Sequence, residues 1–200
     1  MKLPAAQRRA LDLLAGKLGA EAYLAGGVAV ALRLHHRRSR DLAFFTDAEH
    51  PERPAEALAP IPGLRISSRA EGTRYFDLEG SPVCLIRYRY PLLEPAERLP
   101  EIPVPVASQK DLVCMKLAAI ASRGAVRDFW DLHALLGATG VGLAEALAWY
   151  RCKYKHEDIG HVVRSLAHFA DADAEPLPQP LTAPRWERIK ADLRGWVQAL

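Results

Sequence analysis

Two stretches of this 200-residue chain hold most of the residues that could do chemistry, and the first, residues 23–46, reads YLAGGVAVALRLHHRRSRDLAFFT. Gly26-Gly27 stands between a short apolar run and a helix-forming one. Two glycines let the backbone approach a ligand closely, and the unpaired N–H groups of a helix start favour an anion such as phosphate. The same pair is also an ordinary tight turn. Further on, Arg37, Arg38 and Arg40 surround Ser39, offering guanidinium and hydroxyl donors to phosphate oxygens just before Asp41. On a strand, positions 41 and 43 point to one face, so Asp-x-Asp there would hold one or two divalent cations. The second position is Ala43. The alternative for Asp41 is a simple ion pair with Arg38 or Arg40 at the strand start.

The second stretch, residues 115–132, reads MKLAAIASRGAVRDFWDL. Asp128 and Asp131, three apart on a helix, share one edge with Arg127. Lys116 lies on the inner face of the preceding helix, among Leu112, Met115 and Ala119, where an unpaired ammonium is costly. It needs either a carboxylate from the next helix or a bound phosphate. A structural ion pair to Asp128 or Asp131, clasping two helices, satisfies it as well as a ligand does.

Bulk properties narrow the function classes. The net charge of +3, from 27 basic and 24 acidic residues, argues against a surface that coats nucleic acid uniformly, so any anion binding is local. Cys84, Cys114 and Cys152 are odd in number and widely spaced, without a CxxC pair, which points to reduced thiols rather than disulfides or a zinc knuckle. HEDIGH at 156–161 has one residue too many for HExxH, and its two histidines fall on different helix faces. RYRY at 87–90 suits either stacking against single-stranded nucleic acid or a half-exposed strand. No run approaches the length of a membrane span, and the expectation is a cytoplasmic protein without membrane contact.

These residues need elements to position them. Pro4 and the leucine spacing predict an amphipathic helix over 4–19. A strand at 22–25 runs into the glycines and a helix to 34, and a second strand covers 41–45. After a Pro-rich connection near 51–62, the runs LRISSR, TRYFDLE and VCLIRYRY form an antiparallel meander. The segment 91–106, with five of fifteen prolines, reads as a linker with an edge strand. Helices follow, opened by Ser108 as N-cap and covering Asp128–Leu136, Leu143–Tyr150, Ile159–Phe169 and Trp186–Val197. The class is α+β, with a mixed-sheet domain over 1–105 and a helical domain over 106–200.

Taken together, YLAGGVAVALRLHHRRSRDLAFFT and KLAAIASRGAVRDFWDLHALL resemble the AbiEii/AbiGii-type nucleotidyltransferase toxins, whose domain is polymerase-β-like and is followed by a helical bundle. The resemblance implies transfer of a nucleoside monophosphate from an NTP to an acceptor such as tRNA, with Mg²⁺, and an antitoxin protein as partner. It implies that Gly26, Gly27 and Ser39, beside Arg38, hold the triphosphate. Asp41 would bind metal, Lys116 would neutralise phosphate charge, and Asp128 and Asp131 would complete the second wall of the site. Ala43 stands where the family has its second metal-binding aspartate, which implies an inactive or weakened enzyme, and Asp77, on a neighbouring predicted strand, is an acid that could substitute. The alternative is a non-catalytic module that keeps the fold to bind RNA or a protein.

Overall fold

The computed structural model describes residues 3–19, 21–47, 58 and 60–200. The Pro-rich connection expected near 51–62 lies largely outside the described residues. Two compact units divide the chain, Met1–His35 with Ser39–Ser108 and His36–Arg38 with Gln109–Leu200.

The first unit is a mixed sheet with helices packed against it. Its elements are α1 (Ala5–Leu14), β1 (Tyr23–Ala25), α2 (Gly26–Leu34), β2 (Leu42–Thr46), β3 (Leu64–Ala70), β4 (Thr73–Leu78), β5 (Ser81–Arg87), β6 (Glu97–Arg98) and β7 (Pro105–Val106). The strand order is β3-β4-β5-β2-β1-β7-β6. β3, β4 and β5 form the expected antiparallel meander, while β2 joins β5 in parallel and β1 in antiparallel fashion. Alternation along β2 decides which face is the core: Leu42, Phe44 and Thr46 are buried, whereas Ala43 and Phe45 are only partly covered. Leu42 and Phe44 share that interior with Leu24, Val83 and Leu85 of the neighbouring strands and with Leu11, Leu14 and Val28 of the helices. The segment 91–106 contributes a two-strand hairpin, β6 with β7, where the sequence suggests a single edge strand.

α1 stops at Leu14, short of the expected residue 19. Gly16 has φ +73, which no right-handed helix accommodates, and the Lys17 amide turns back to the Leu14 carbonyl.

The second unit is helical: α3 (Gln109–Arg123), α4 (Val126–Thr139), α5 (Leu143–Tyr154), α6 (Gly160–Leu166), α7 (Ala170–Ala174) and α8 (Ala183–Gln198). The expected helix Ile159–Phe169 is cut at Leu166. The amides of Ala167 and His168 donate three residues back, to Arg164 and Ser165, tightening the last turn. The chain then places the Phe169 ring against Phe129 and Trp186, at centroid separations of 5.0 and 5.8 Å, and α7 starts after it. A buried pair, Lys153 Nζ to Asp111 Oδ1 at 2.6 Å, ties α5 to α3.

Candidate functional site

In the first unit, α2 begins directly where β1 ends. Gly26 takes φ +68, the left-handed region that makes this abrupt strand-to-helix turn possible. A Cβ added there would lie 3.4 Å from the Cβ of Ala43, so the turn and the middle of β2 are in direct apposition. The register explains it, since Ala25 of β1 is paired with Ala43. Gly27 follows in the first turn of α2, among the backbone N–H groups that have no partner within the helix.

Asp41 immediately precedes β2 and is exposed. Two residues before Ala43, it shares the partly covered face of the strand. The approach to it is fixed by α1: the buried Gln7 donates through Nε2 to the carbonyls of Ser39, at 2.9 Å, and Arg40, at 2.7 Å. Ser39 and Asp41 are thus presented on an anchored backbone.

On β5 the register partner of Ala43 is Cys84. Burial, and then the negative charge of Asp41, push its thiol up to about 11, so it is neutral at physiological pH. A neutral thiol is a poor ligand for a hard cation. Asp77 does not take the place of the missing carboxylate either. It sits on β4, beyond β5, roughly 10 Å from β2 by strand spacing, and its Oδ1 accepts a 3.0 Å bond from the Gly80 amide in the β4–β5 turn. Among the described residues, no three His, Cys, Asp or Glu side chains form a metal cage. Among the described residues, Asp41 is the acid two positions from Ala43, and one carboxylate suits a Mg²⁺ held largely by substrate phosphates rather than a protein-built pair of ions.

In the second unit, Lys116, Asp128 and Asp131 meet in a buried network. Lys116 Nζ lies 2.8 Å from Asp128 Oδ1 and 2.7 Å from Asp131 Oδ2, so the ammonium is clasped by both carboxylates of α4. Arg123, from the end of α3, donates to both oxygens of Asp128 at 2.7 and 3.0 Å. Asp131 receives three cationic or potentially cationic donors. They are Lys116, the bidentate Arg37 and His36 Nε2 at 2.8 Å. Both carboxylates are fully buried.

Burial by itself would raise both acids. For Asp131 the Lys116 charge and the hydrogen bonds of Arg37 and His36 overcome it, and for Asp128 the Arg123 hydrogen bonds and the Lys116 charge do. Both carboxyls are held below the usual carboxylate range and are ionised. The lysine's requirement for a partner is therefore met by carboxylates.

The cationic turn that precedes Asp41 is accordingly split in use. His36 and Arg37 are committed to Asp131, and Arg37 also donates through Nη1 to the Arg38 carbonyl at 2.9 Å. Arg38 and Arg40 have exposed side chains. Asp41 makes no ion pair among the described residues, so its alternative role as a simple strand-start pair is not what the fold uses.

Sequence reading missed Gln7, the Arg37 and His36 grip on Asp131, and Cys84 beside Ala43. Only Arg123, five residues before Asp128, carried a local signal.

The sheet order and the helix that springs from β1 define a nucleotidyltransferase fold. The chain superposes with a TM-score of 0.65 on the MenT4 nucleotidyltransferase toxin of Mycobacterium tuberculosis, at 17% identity, covering 96% of this chain and 83% of that one. For the antibiotic-resistance factor ANT(2'')-Ia the TM-score is 0.59 at 13% identity, over 76% and 93% of the two chains. For JHP933 from Helicobacter pylori it is 0.56 at 17%, over 99% and 93%.

Sequence carries the assignment further. Residues 76–198 match the family described as nucleotidyl transferase AbiEii toxin of type IV toxin–antitoxin systems, a segment that takes in Lys116, Asp128 and Asp131. An uncharacterized protein of Aquifex aeolicus is 36% identical in a 197-residue alignment that covers 94% of this chain and 93% of that one. The chain belongs to the AbiEii nucleotidyltransferase toxin family.

Proposed function

We propose that this protein binds an NTP and transfers, or descends from an enzyme that transfers, its nucleoside monophosphate to an RNA acceptor of the tRNA class, with an antitoxin as protein partner. The observation that supports the reading most is the apposition of Gly26 and Ala43, because it puts the N–H groups opening α2 beside the strand that follows Asp41. In this reading the amides of Gly26 and Gly27 and the hydroxyl of Ser39 hold the triphosphate.

Mg²⁺, when bound, would offset charge on the phosphates, and Asp41 is the side chain that would hold it. Ala43 offers no second carboxylate, so transfer is weak or absent. Lys116 then acts as a positioning residue: with Asp128 and Asp131 it joins α3 to α4 and fixes Arg37, instead of contacting phosphate itself.

The test is Ala43→Asp, followed by radiolabelled NTP transfer to total tRNA with and without Mg²⁺. Label gained by the variant and lost again in Ala43→Asp with Asp41→Asn supports the reading. A folded Ala43→Asp protein that binds no NTP by calorimetry overturns it.

A second reading, a non-catalytic RNA-binding module, draws on Ala43 and on the exposed Arg38 and Arg40. It predicts tRNA affinity that falls steeply with salt and survives Asp41→Ala.

A further inference from the structure

Gln7 stands where α1 should carry an apolar residue. Positions 7, 10, 11 and 14 form one buried stripe of the helix, and the other three are Ala10, Leu11 and Leu14. Gln7 itself is only 5% exposed. Both of its acceptors, the carbonyls of Ser39 and Arg40, require a donor, so the NH₂ end of the amide faces them. Its Oε1 is buried and has no hydrogen-bond partner among the described residues.

Stability alone does not call for this arrangement. Ser39 is half-buried and Arg40 and Asp41 are exposed, so the segment lies open to water, the usual partner of loop carbonyls. A buried amide oxygen without a partner costs about 1–3 kcal/mol, and leucine at position 7 would continue the apolar stripe without that cost.

The effect of Gln7 falls on two peptide planes. Successive carbonyls of an extended strand point to opposite sides, yet two in a row here reach one nitrogen, so the chain is turned at Arg40 and β2 opens only at Leu42. A peptide unit is planar, and holding its carbonyl holds the plane. Both planes between the α-carbons of Ser39 and Asp41 are therefore held by one side chain. Apart from the Arg37 bond to the Arg38 carbonyl, it is the side-chain hold on the main chain of 38–41 among the described residues.

We propose that Gln7 is a positioning residue of the nucleotide site, which sets the spacing and orientation of the Ser39 hydroxyl and the Asp41 carboxylate through the Ser39 and Arg40 carbonyls. The inference rests on the nucleotide reading for its ligand, a triphosphate with Mg²⁺.

The test is calorimetry of ATP, CTP, GTP and UTP, with and without Mg²⁺, on the parent, Gln7→Met, Asp41→Asn and the double variant. Hydrogen exchange of the peptides spanning 38–42 is read beside it, without ligand. Gln7→Met keeps the length of the side chain and removes its donors. Gln7→Ala, which leaves room for water at the two carbonyls, is the second variant should the first unfold. The expected result is about a tenfold loss of the Mg²⁺-dependent part of NTP affinity in Gln7→Met, the scale of losing a partner that orients a metal ligand. Asp41→Asn shows a similar loss, and the double variant is no worse than Asp41→Asn alone, because both changes act through one carboxylate. Exchange at 38–42 quickens in Gln7→Met and keeps the parent rate in Asp41→Asn.

Additive losses, or Mg²⁺-dependent affinity unchanged in a folded Gln7→Met, overturn the positioning role and leave the nucleotide reading intact. Unchanged exchange at 38–42 overturns it as well, and unfolding of both variants makes Gln7 a residue of the fold and overturns it too. No NTP binding by the parent, or binding indifferent to Mg²⁺, defeats the reading of the site itself before any variant is compared, and the positioning role goes with it.

Discussion

Arg37 grips Asp131 through two parallel hydrogen bonds, Nε to Oδ1 at 2.6 Å and Nη2 to Oδ2 at 2.7 Å, with both side chains buried. The pairing uses the planar fork of the guanidinium, which lysine lacks. Arg37→Ala leaves a buried carboxylate short of its bidentate partner and is expected to destabilise the protein by about 3 kcal/mol in urea unfolding. Arg37→Lys should recover only part of that, because one ammonium cannot serve both oxygens at once. Equal stability of the lysine variant and the parent would show that charge alone, without fork geometry, is what Asp131 requires.

The same carboxylates set the acid limit. Asp128 and Asp131 are held below the ordinary carboxylate range in the folded chain, so below about pH 4 the unfolded state binds more protons than the folded one. Their contribution is therefore fully present above about pH 4 and is lost as pH falls from there through the lower folded values. Unfolding free energy should drop steadily over that window, and Asp131→Asn should flatten the slope while lowering stability at pH 7.

Lys116 bridges two acids whose remaining partners differ in exposure. The Arg123 side chain on Asp128 is 54% exposed and can turn to solvent, whereas Arg37 on Asp131 is buried. Lys116→Met alone should cost about 3 kcal/mol by stranding two buried charges. Adding Asp128→Leu should restore much of it, since Arg123 is then free to hydrate. Adding Asp131→Leu should not, because Arg37 loses its partner inside the protein. A double-mutant cycle with coupling near zero for the Lys116 and Asp128 pair would refute this accounting.

At Gly26, backbone conformation and contact make separable demands. Gly26→Ala should destabilise by about 1–2 kcal/mol because φ +68 is unfavourable for a residue with a Cβ. The contact with Ala43, at 3.4 Å, is close to ordinary packing. Ala43→Gly should therefore fail to rescue Gly26→Ala. Rescue in thermal unfolding would place the constraint in the contact and not in the backbone.

Local rules carried the sequence reading well where the information was local. The strand, Gly26-Gly27 and helix succession follows from glycine conformation and apolar runs, and the meander follows from short strands separated by turn residues. The inward Lys116 required a partner by burial cost alone, and Asp128 and Asp131 were the acids at helical spacing from one another.

Long-range pairing was not legible. Arg37 and Asp131 are 94 residues apart, and nothing in HHRRSRD distinguishes the arginine that is buried from its exposed neighbours Arg38 and Arg40. Gln7 is likewise an ordinary polar residue of an amphipathic helix until the fold brings the carbonyls of Ser39 and Arg40 to it. Cys84 became a neighbour of Ala43 only through the parallel pairing of β5 with β2, which sequence periodicity does not encode.

That neighbour can report on Asp41. The Cys84 thiol is raised first by burial and second by the charge of Asp41, so neutralising Asp41 lowers its pKa without bringing it to the ordinary thiol value. Thiolate is the reactive form, and iodoacetamide labelling of Cys84 at pH 8 should therefore be slow in the parent chain. Exposed Cys152 would react first, and Cys152→Ser removes that background. Buried Cys114, raised to about 12, should stay silent. Asp41→Asn should speed Cys84 labelling several-fold. Mg²⁺ added with an NTP analogue should do the same in the parent and nothing further in Asp41→Asn. Mass spectrometry of the labelled peptides reads all three cysteines at once, and a Cys84 rate indifferent to Asp41→Asn would remove the electrostatic link between the two residues.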